Sequence, residues 1–192
     1  MCGFTGYIDK KGIYGVEILR KMTDSLVHRG PDDAGYEVLP MENGIAALGF
    51  RRLSILDLSE AGHQPMFNHD RSIAIMLNGE VYNFQELKQD LISSGISFKS
   101  SSDTEVVLKG YELKGIEFIH SLVGMFAISI LDIPKQQLYL IRDRAGVKPL
   151  FYSNYDGNII WGSELKALRN HPAFKHTTDV NALGLYFQNG NI

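Results

Sequence analysis

A chain of 192 residues that is 44% hydrophobic and 21% charged has the composition of an ordinary globular domain, long enough to bury a sizeable core without disulfides or metals. Its formal net charge of −3 excludes the basic footprint of a nucleic-acid binder and the polybasic patch of a protein held on anionic membrane. A single cysteine excludes an intrachain disulfide framework, and six scattered histidines offer no zinc-type ligand spacing, so no metal is expected. No apolar run approaches the roughly 20 residues of a membrane helix, and no basic-then-apolar leader opens the sequence. The expectation is a cytoplasmic domain with no nucleic-acid and no membrane partner.

In chain order, Phe4 to Ile8 reads as a strand. Val16, Leu19, Met22 and Leu26 recur at helical spacing, and Ile45 to Phe50 and Ile73 to Leu77 are apolar runs of strand length. Asn83 to Ile92 reads as a helix, with Asn83 as N-cap, Glu86 three positions on and Gly95 as its stop. Asp103 is the candidate cap of a second helix carrying Val106, Val107, Leu108 and Tyr111.

Beyond Gly124 the chain turns strand-rich: Met125 to Leu131, Gln137 to Ile141, Pro149 to Tyr152 and Ile159 to Trp161, the last two separated by the hairpin signal Asp156-Gly157. Ser163 to Leu168 reads as the start of a helix. Helices grouped between blocks of strands favour an α+β layering over a regular βαβ array. Leu183 to Phe187 is apolar, and the sequence then stops at Ile192 without a charged or capping tail. That ending favours a fragment of a longer protein over a short disordered terminus.

Chemistry is suggested first at Met1-Cys2-Gly3. Removal of Met1 would give Cys2 a free α-amine, so that one residue holds both a nucleophile and a base whose ordinary pKa is about 7.7–8.0. Arg51-Arg52 follows an apolar run, and a guanidinium fork suits a carboxylate, although a pair of surface charges reads the same way. Asn78-Gly79 follows another, where an amide and a backbone N–H can both face a developing oxyanion; in isolation the dipeptide is more often a plain turn. His28 to Asp33 is a turn-rich loop. The remaining histidines show no pairing and read mostly as surface residues.

Taken together and in order, these stretches resemble the class II glutamine amidotransferase domain, an N-terminal-nucleophile hydrolase, in its asparagine synthetase branch. The matching segments are Met1 to Gly6, His28 to Asp33, Arg51 to Leu58, Gly62 to Met66, Leu77 to Asn83 and Ser102 to Val106, followed by Gly124 to Ala127, Arg142 to Leu150 and Ser163 to Leu168. Phe50 and Ala145 depart from the family's usual His and bulky aromatic.

The resemblance implies a four-layer αββα sandwich with two mainly antiparallel sheets. It implies glutamine hydrolysis by Cys2, with Asn78 and Gly79 holding the oxyanion. Glutamine is then bound by Arg52 at its α-carboxylate and Asp103 at its α-ammonium, with Leu53, Ser54, Ile55, Leu56, Asn78, Gly79 and Glu80 enclosing it. No cofactor is implied in this domain. ATP and Mg²⁺ belong to a C-terminal synthetase domain of the same chain, and a homodimer is left open. Arg142 to Leu150 is a contact surface for the missing domain or simply a loop needed for folding.

Overall fold

In the first strand, β1 (Gly3–Asp9), alternation sends Phe4 and Ile8 to one side and Thr5 and Tyr7 to the other, and all but Ile8 are buried. A strand buried on both faces needs a layer on each side. The computed structural model, which describes residues 2–54 and 60–190, provides both.

β1 lies at the centre of a five-stranded sheet ordered β2-β3-β1-β9-β8. Its partners are β2 (Asp33–Pro40), β3 (Ile45–Arg52), β8 (Phe151–Tyr155) and β9 (Asn158–Gly162), each neighbour antiparallel. A second antiparallel sheet, ordered β4-β5-β6-β7, comprises β4 (Met66–Phe67), β5 (Ile73–Val81), β6 (Gly124–Asp132) and β7 (Gln137–Arg142).

Three apolar clusters separate the layers. Phe4, Leu48, Phe50 and Trp161 of the first sheet meet Ala74, Met76, Ala127 and Leu131 of the second. The opposite face of the first sheet, with Tyr7, Ala47 and Ile160, is covered by α1 (Val16–Asp24) and α4 (Leu165–Arg169) through Leu19, Met22 and Leu168. The outer face of the second, with Ile75, Leu77, Ile128 and Ile130, is covered by α2 (Phe84–Ser93) and α3 (Asp103–Lys114) through Leu91, Val107 and Tyr111. This is the expected αββα sandwich. α5 (Val180–Asn189) follows, its Val180 and Phe187 largely exposed. The apolar run at Leu183 to Phe187 is therefore helical rather than the irregular tail weighed from sequence.

One capping expectation is refined and another corrected. Asn83 occupies the N-cap position of α2, as expected, but its amide makes no capping bond: Nδ2 donates to Ser121 O at 2.9 Å and Oδ1 accepts from Val123 N at 3.0 Å, tying the helix start to the approach of β6. Ser102, not Asp103, caps α3, accepting from Thr104 N at 3.1 Å, and this frees Asp103 for another partner. Gly95 does stop α2: its N–H reaches Ile92 O and that of Ile96 reaches Leu91 O, the paired bonds of a left-handed helix ending. Asp156 and Gly157 both take positive φ, as the β8–β9 hairpin requires.

Trp161 is the largest fully buried side chain. It packs against Gly6 of β1, where a Cβ would collide with the indole ring and lie 2.7 Å from Ala47 O, so only glycine admits it. Trp161→Ala is expected to cost about 3–5 kcal/mol, because the sheets cannot close over the space left. Urea unfolding would read this as a lower midpoint with a similar slope.

Candidate active site

The inner rows of the two sheets converge at one end. Ala46, Leu48 and Phe50 line the inter-sheet layer, so the next residue of that parity on β3, Arg52, closes the row. The same alternation carries the row of Phe4 back to Cys2 and the row of Ala74 and Met76 on to Asn78. These three side chains line a single cavity of about 90 Å³ together with Leu53, Gly62, Gln64, Leu77, Gly79, Glu80, Ser102, Asp103, Thr104 and Lys148.

Asn78 is fully buried, and neither its Oδ1 nor its Nδ2 has a hydrogen-bond partner. An unpaired buried amide costs roughly 1–3 kcal/mol, so its presence at a cavity wall marks a place where a polar ligand completes the bonding.

The free edge of β5 explains the rest of that wall. β5 is paired with β6 along its whole length, and main-chain groups alternate in direction along an antiparallel strand, so the N–H groups of Leu77, Gly79 and Val81 share the outer edge. Gln64 Oε1 accepts from Leu77 N at 2.7 Å, and Asp103 Oδ2 accepts from Val81 N at 3.0 Å. Between them the Gly79 N–H faces the cavity. Gly79 has φ +146, and a Cβ there would run into Met125 O and lie 2.7 Å from Phe126 Cα, so this exposed N–H depends on glycine. Asn78 and Gly79 thus lie side by side on one wall of the cavity.

Opposite them, Cys2 Sγ accepts from Leu53 N at 3.3 Å and lies 3.5 Å from Leu53 O. Burial pushes the thiol pKa up, against the Leu53 hydrogen bond and the Arg52 charge, which pull it down. The residue is held from behind. Arg29 Nε donates to Cys2 O at 2.9 Å, and Arg29 is in turn paired with Glu164 at 2.9 Å. Glu164 also meets His28 and Lys166, and these hydrogen bonds outweigh its burial, leaving its carboxyl at about 2. Ser163 Oγ accepts from Phe4 N at 3.1 Å. The sequence identified these motifs but gave His28, Arg29, Ser163 and Glu164 no role.

Arg52 and Asp103 are both buried and line the same cavity, one cation and one anion. Burial raises the Asp103 pKa and the Glu80 charge adds to it, against hydrogen bonds from the Val81 and Thr104 backbone. Glu80 and Leu53 also lie on the wall. Ser54 does not reach it; its N–H donates to Asp32 Oδ2 at 2.8 Å. Ile55 and Leu56 lie outside the described residues, as does Met1. Sequence reasoning missed Gln64, Ser102, Thr104 and Lys148. Lys148 is brought in by the loop after β7, which is tied inward: Asp143 accepts from Val147 N and Lys148 N at 2.9 Å each, and Arg142 Nε donates to Lys148 O at 2.8 Å.

Among the described residues no group of three His, Cys, Asp or Glu side chains is arranged to hold a metal, and no helix is long and apolar enough to cross a membrane. His171 is not a surface residue as the sequence suggested. It is buried between the rings of Tyr7 and Tyr14, 4.7 and 4.6 Å away, and burial lowers its pKa to about 4.

A carboxyl whose pKa is raised by folding binds protons more readily in the folded chain, so stability falls as pH rises through the interval above the ordinary carboxylate value. Asp103→Asn is therefore expected to raise the melting temperature of the ligand-free protein at pH 7. The gain shrinks towards zero as pH falls below the ordinary aspartate pKa of about 3.9. Thermal unfolding of both proteins across pH tests this.

Comparison with known proteins places this geometry. A family model described as a glutamine amidotransferase domain matches residues 1–192. The chain is 44% identical over 176 residues to asparagine synthetase [glutamine-hydrolyzing] 2 of Bacillus subtilis, covering 90% of this chain and 23% of that protein. It is 35% identical over 178 residues to amidase chry2 of Gibberella zeae, covering 87% of this chain and 26% of that one. The chain thus spans only about a quarter of the length of these two relatives. Among solved structures, glutamine phosphoribosylpyrophosphate amidotransferase of B. subtilis superposes with a TM-score of 0.74 over 87% of this chain and 43% of its own, at 22% identity, a likeness of fold. The whole-chain match and the 44% identity establish that this chain belongs to the glutamine amidotransferase domain family, on the N-terminal-nucleophile hydrolase fold.

Proposed function

We propose that this domain hydrolyses the side-chain amide of glutamine to glutamate and ammonia, with Cys2 as nucleophile once Met1 is removed. The observation that carries the reading is the fully buried Asn78 amide, without hydrogen-bond partners, on the wall of the cavity that also contains the only thiol of the chain. Cys2 sulfur attacks the carboxamide carbon and its proton passes to the Cys2 α-amine. Asn78 Nδ2 and Gly79 N stabilise the oxyanion. The amine returns the proton to the departing nitrogen, ammonia leaves, and a thioester remains. Water, deprotonated by the same amine, attacks the thioester to release glutamate and restore the thiol.

Arg52 takes the glutamine α-carboxylate and Asp103 its α-ammonium, while Glu80 and Leu53, which line the same cavity, enclose the substrate. A zwitterion suits a cavity whose wall carries both a guanidinium and a carboxylate, since each end of the substrate meets an opposite charge.

In the longer protein the ammonia passes to a C-terminal synthetase domain that uses ATP and Mg²⁺ to convert aspartate to asparagine. Two relatives named amidases favour a second reading in which the acceptor differs. Acceptor dependence of ammonia consumption by the longer protein distinguishes the two.

Cys2→Ala is expected to abolish ammonia release with the fold retained, and Asn78→Ala to lower kcat by roughly 10²–10³ with little change in KM. Steady-state ammonia assays on folded variants measure both; full activity in the cysteine variant removes the mechanism.

Protein that retains Met1 carries an amide where the base must be, and an amide nitrogen does not accept a proton at neutral pH. Such protein is expected to turn glutamine over at a small fraction of the processed rate. Intact mass spectrometry alongside the ammonia assay checks this, and equal rates would assign the base elsewhere.

A further inference from the structure

We propose that Gln64 is a positioning residue for the oxyanion-binding edge of β5, a role that rests on the glutaminase reading above. β4 is only two residues long and pairs with Ala74 and Ile75 alone, so among the described residues β5 has no strand beside it from Leu77 onward on that edge. The Gln64 side chain takes the strand's place. Its Oε1 accepts from Leu77 N at 2.7 Å and its Nε2 donates to Leu77 O at 3.5 Å. A carboxamide presents the same donor and acceptor as a peptide group, and here it meets both main-chain groups of the residue immediately before Asn78.

Three further contacts make this more than a strand end. Nε2 also donates to Thr104 Oγ1 at 3.2 Å, beside Asp103 on α3. The Gln64 backbone presses on Gly35 of β2, where a Cβ would collide with Gln64 O and lie 2.8 Å from Pro65 Cδ. Gln64 is itself buried and lines the cavity. One residue therefore links the first sheet, through its backbone, to the edge bearing Asn78 and Gly79 and the helix start bearing Asp103, through its side chain. The direction of the Gly79 N–H follows from how β5 is held on either side of it, by Gln64 at Leu77 and by Asp103 at Val81. Loss of the first hold lets this edge shift, and small misplacements of a catalytic donor cost rate rather than binding.

The test is a double-mutant cycle on the Met1-processed protein. Gln64→Leu keeps size and burial and removes the carboxamide. It is expected to lower kcat about 10–100-fold with KM within about twofold, while iodoacetamide alkylates Cys2 at an unchanged rate. In an Asn78→Ala background the same substitution is expected to cost clearly less than it does alone, because one of the two donors on the edge it positions is already gone. Multiplicative losses, or a loss confined to KM, would overturn the assignment. If Gln64→Leu does not fold, Thr104→Val, which removes the other acceptor of Nε2, is read through the same cycle and against the same outcomes. An unsubstituted protein that releases no ammonia sinks the glutaminase reading and this inference with it. An active one that shows no coupling sinks only the role of Gln64.

Discussion

The register of β1 between β3 and β9 is the constraint on which the site depends. Thr5 pairs with Gly49 on one side and Gly162 on the other, and the same register sets Phe4 facing the second sheet. Cys2 shares that parity. A slip of one residue would turn the whole row over and send the thiol towards α1 and α4. The register is held by packing with no chemical role of its own: Trp161 over Gly6, and Phe4 among Leu48, Phe50 and Met76. Apolar burial at the centre of the sandwich thereby fixes the reactive group at its end.

The second sheet contributes through an open edge. An unpaired strand edge is ordinarily a liability, because its N–H and C=O groups invite another strand. Here the edge of β5 is short, recessed and occupied in alternation: a side-chain amide at Leu77, a cavity at Gly79 and a carboxylate at Val81. Its middle N–H is the one available to a ligand. The buried charges on the surrounding wall follow the same logic. Arg52 and Asp103 are withdrawn from bulk water within one cavity, and burial opposes the ionised form of the carboxylate. A substrate that carries both charges offsets this cost, which favours a free amino acid over a neutral amide.

Much of this was legible in the sequence, and the limits were physical. Strand runs such as Ile73 to Leu77 and the turn at Asp156-Gly157 follow from period and local conformational preference, and the structure has them close to where expected. Local pattern located both helices and the N-cap position at Asn83, but placed the second cap at Asp103 rather than Ser102 and missed the side-chain partners of both residues. Asn83 finds partners near Val123 and Asp103 finds one at Val81, contacts distant in sequence that outcompete a local cap. Gln64 was invisible for the same reason. A glutamine acting as a strand residue has no signature until the strand it replaces is known to be missing. His171 reads as a surface residue because only the fold sets Tyr7 and Tyr14 on either side of it.

The proposed nucleophile, at the end of the chain once Met1 is removed, faces one more difficulty, which is fraying. Chain termini are the least ordered part of most domains, and fixing each backbone residue costs about 1–2 kcal/mol. A wandering Cys2 would also lose the advantage of a pre-set attack geometry. The structure counters this with bonds to charged groups, which are worth about 1.5–3 kcal/mol each against about 1 for neutral ones. Arg29 grips the Cys2 carbonyl, and the guanidinium is itself held by a largely buried pairing with Glu164. Gly3 leaves room for this, since a Cβ there would sit 2.9 Å from Arg29 Cδ. Ser163, the neighbour of Glu164, holds Phe4 N one turn of the ladder further in. One charged tie of about 1.5–3 kcal/mol and one neutral bond of about 1 kcal/mol are comparable to the cost of ordering one or two residues. The segment at Ser163 and Glu164, far from Cys2 in sequence, is thus what converts a frayed terminus into a fixed wall of the cavity.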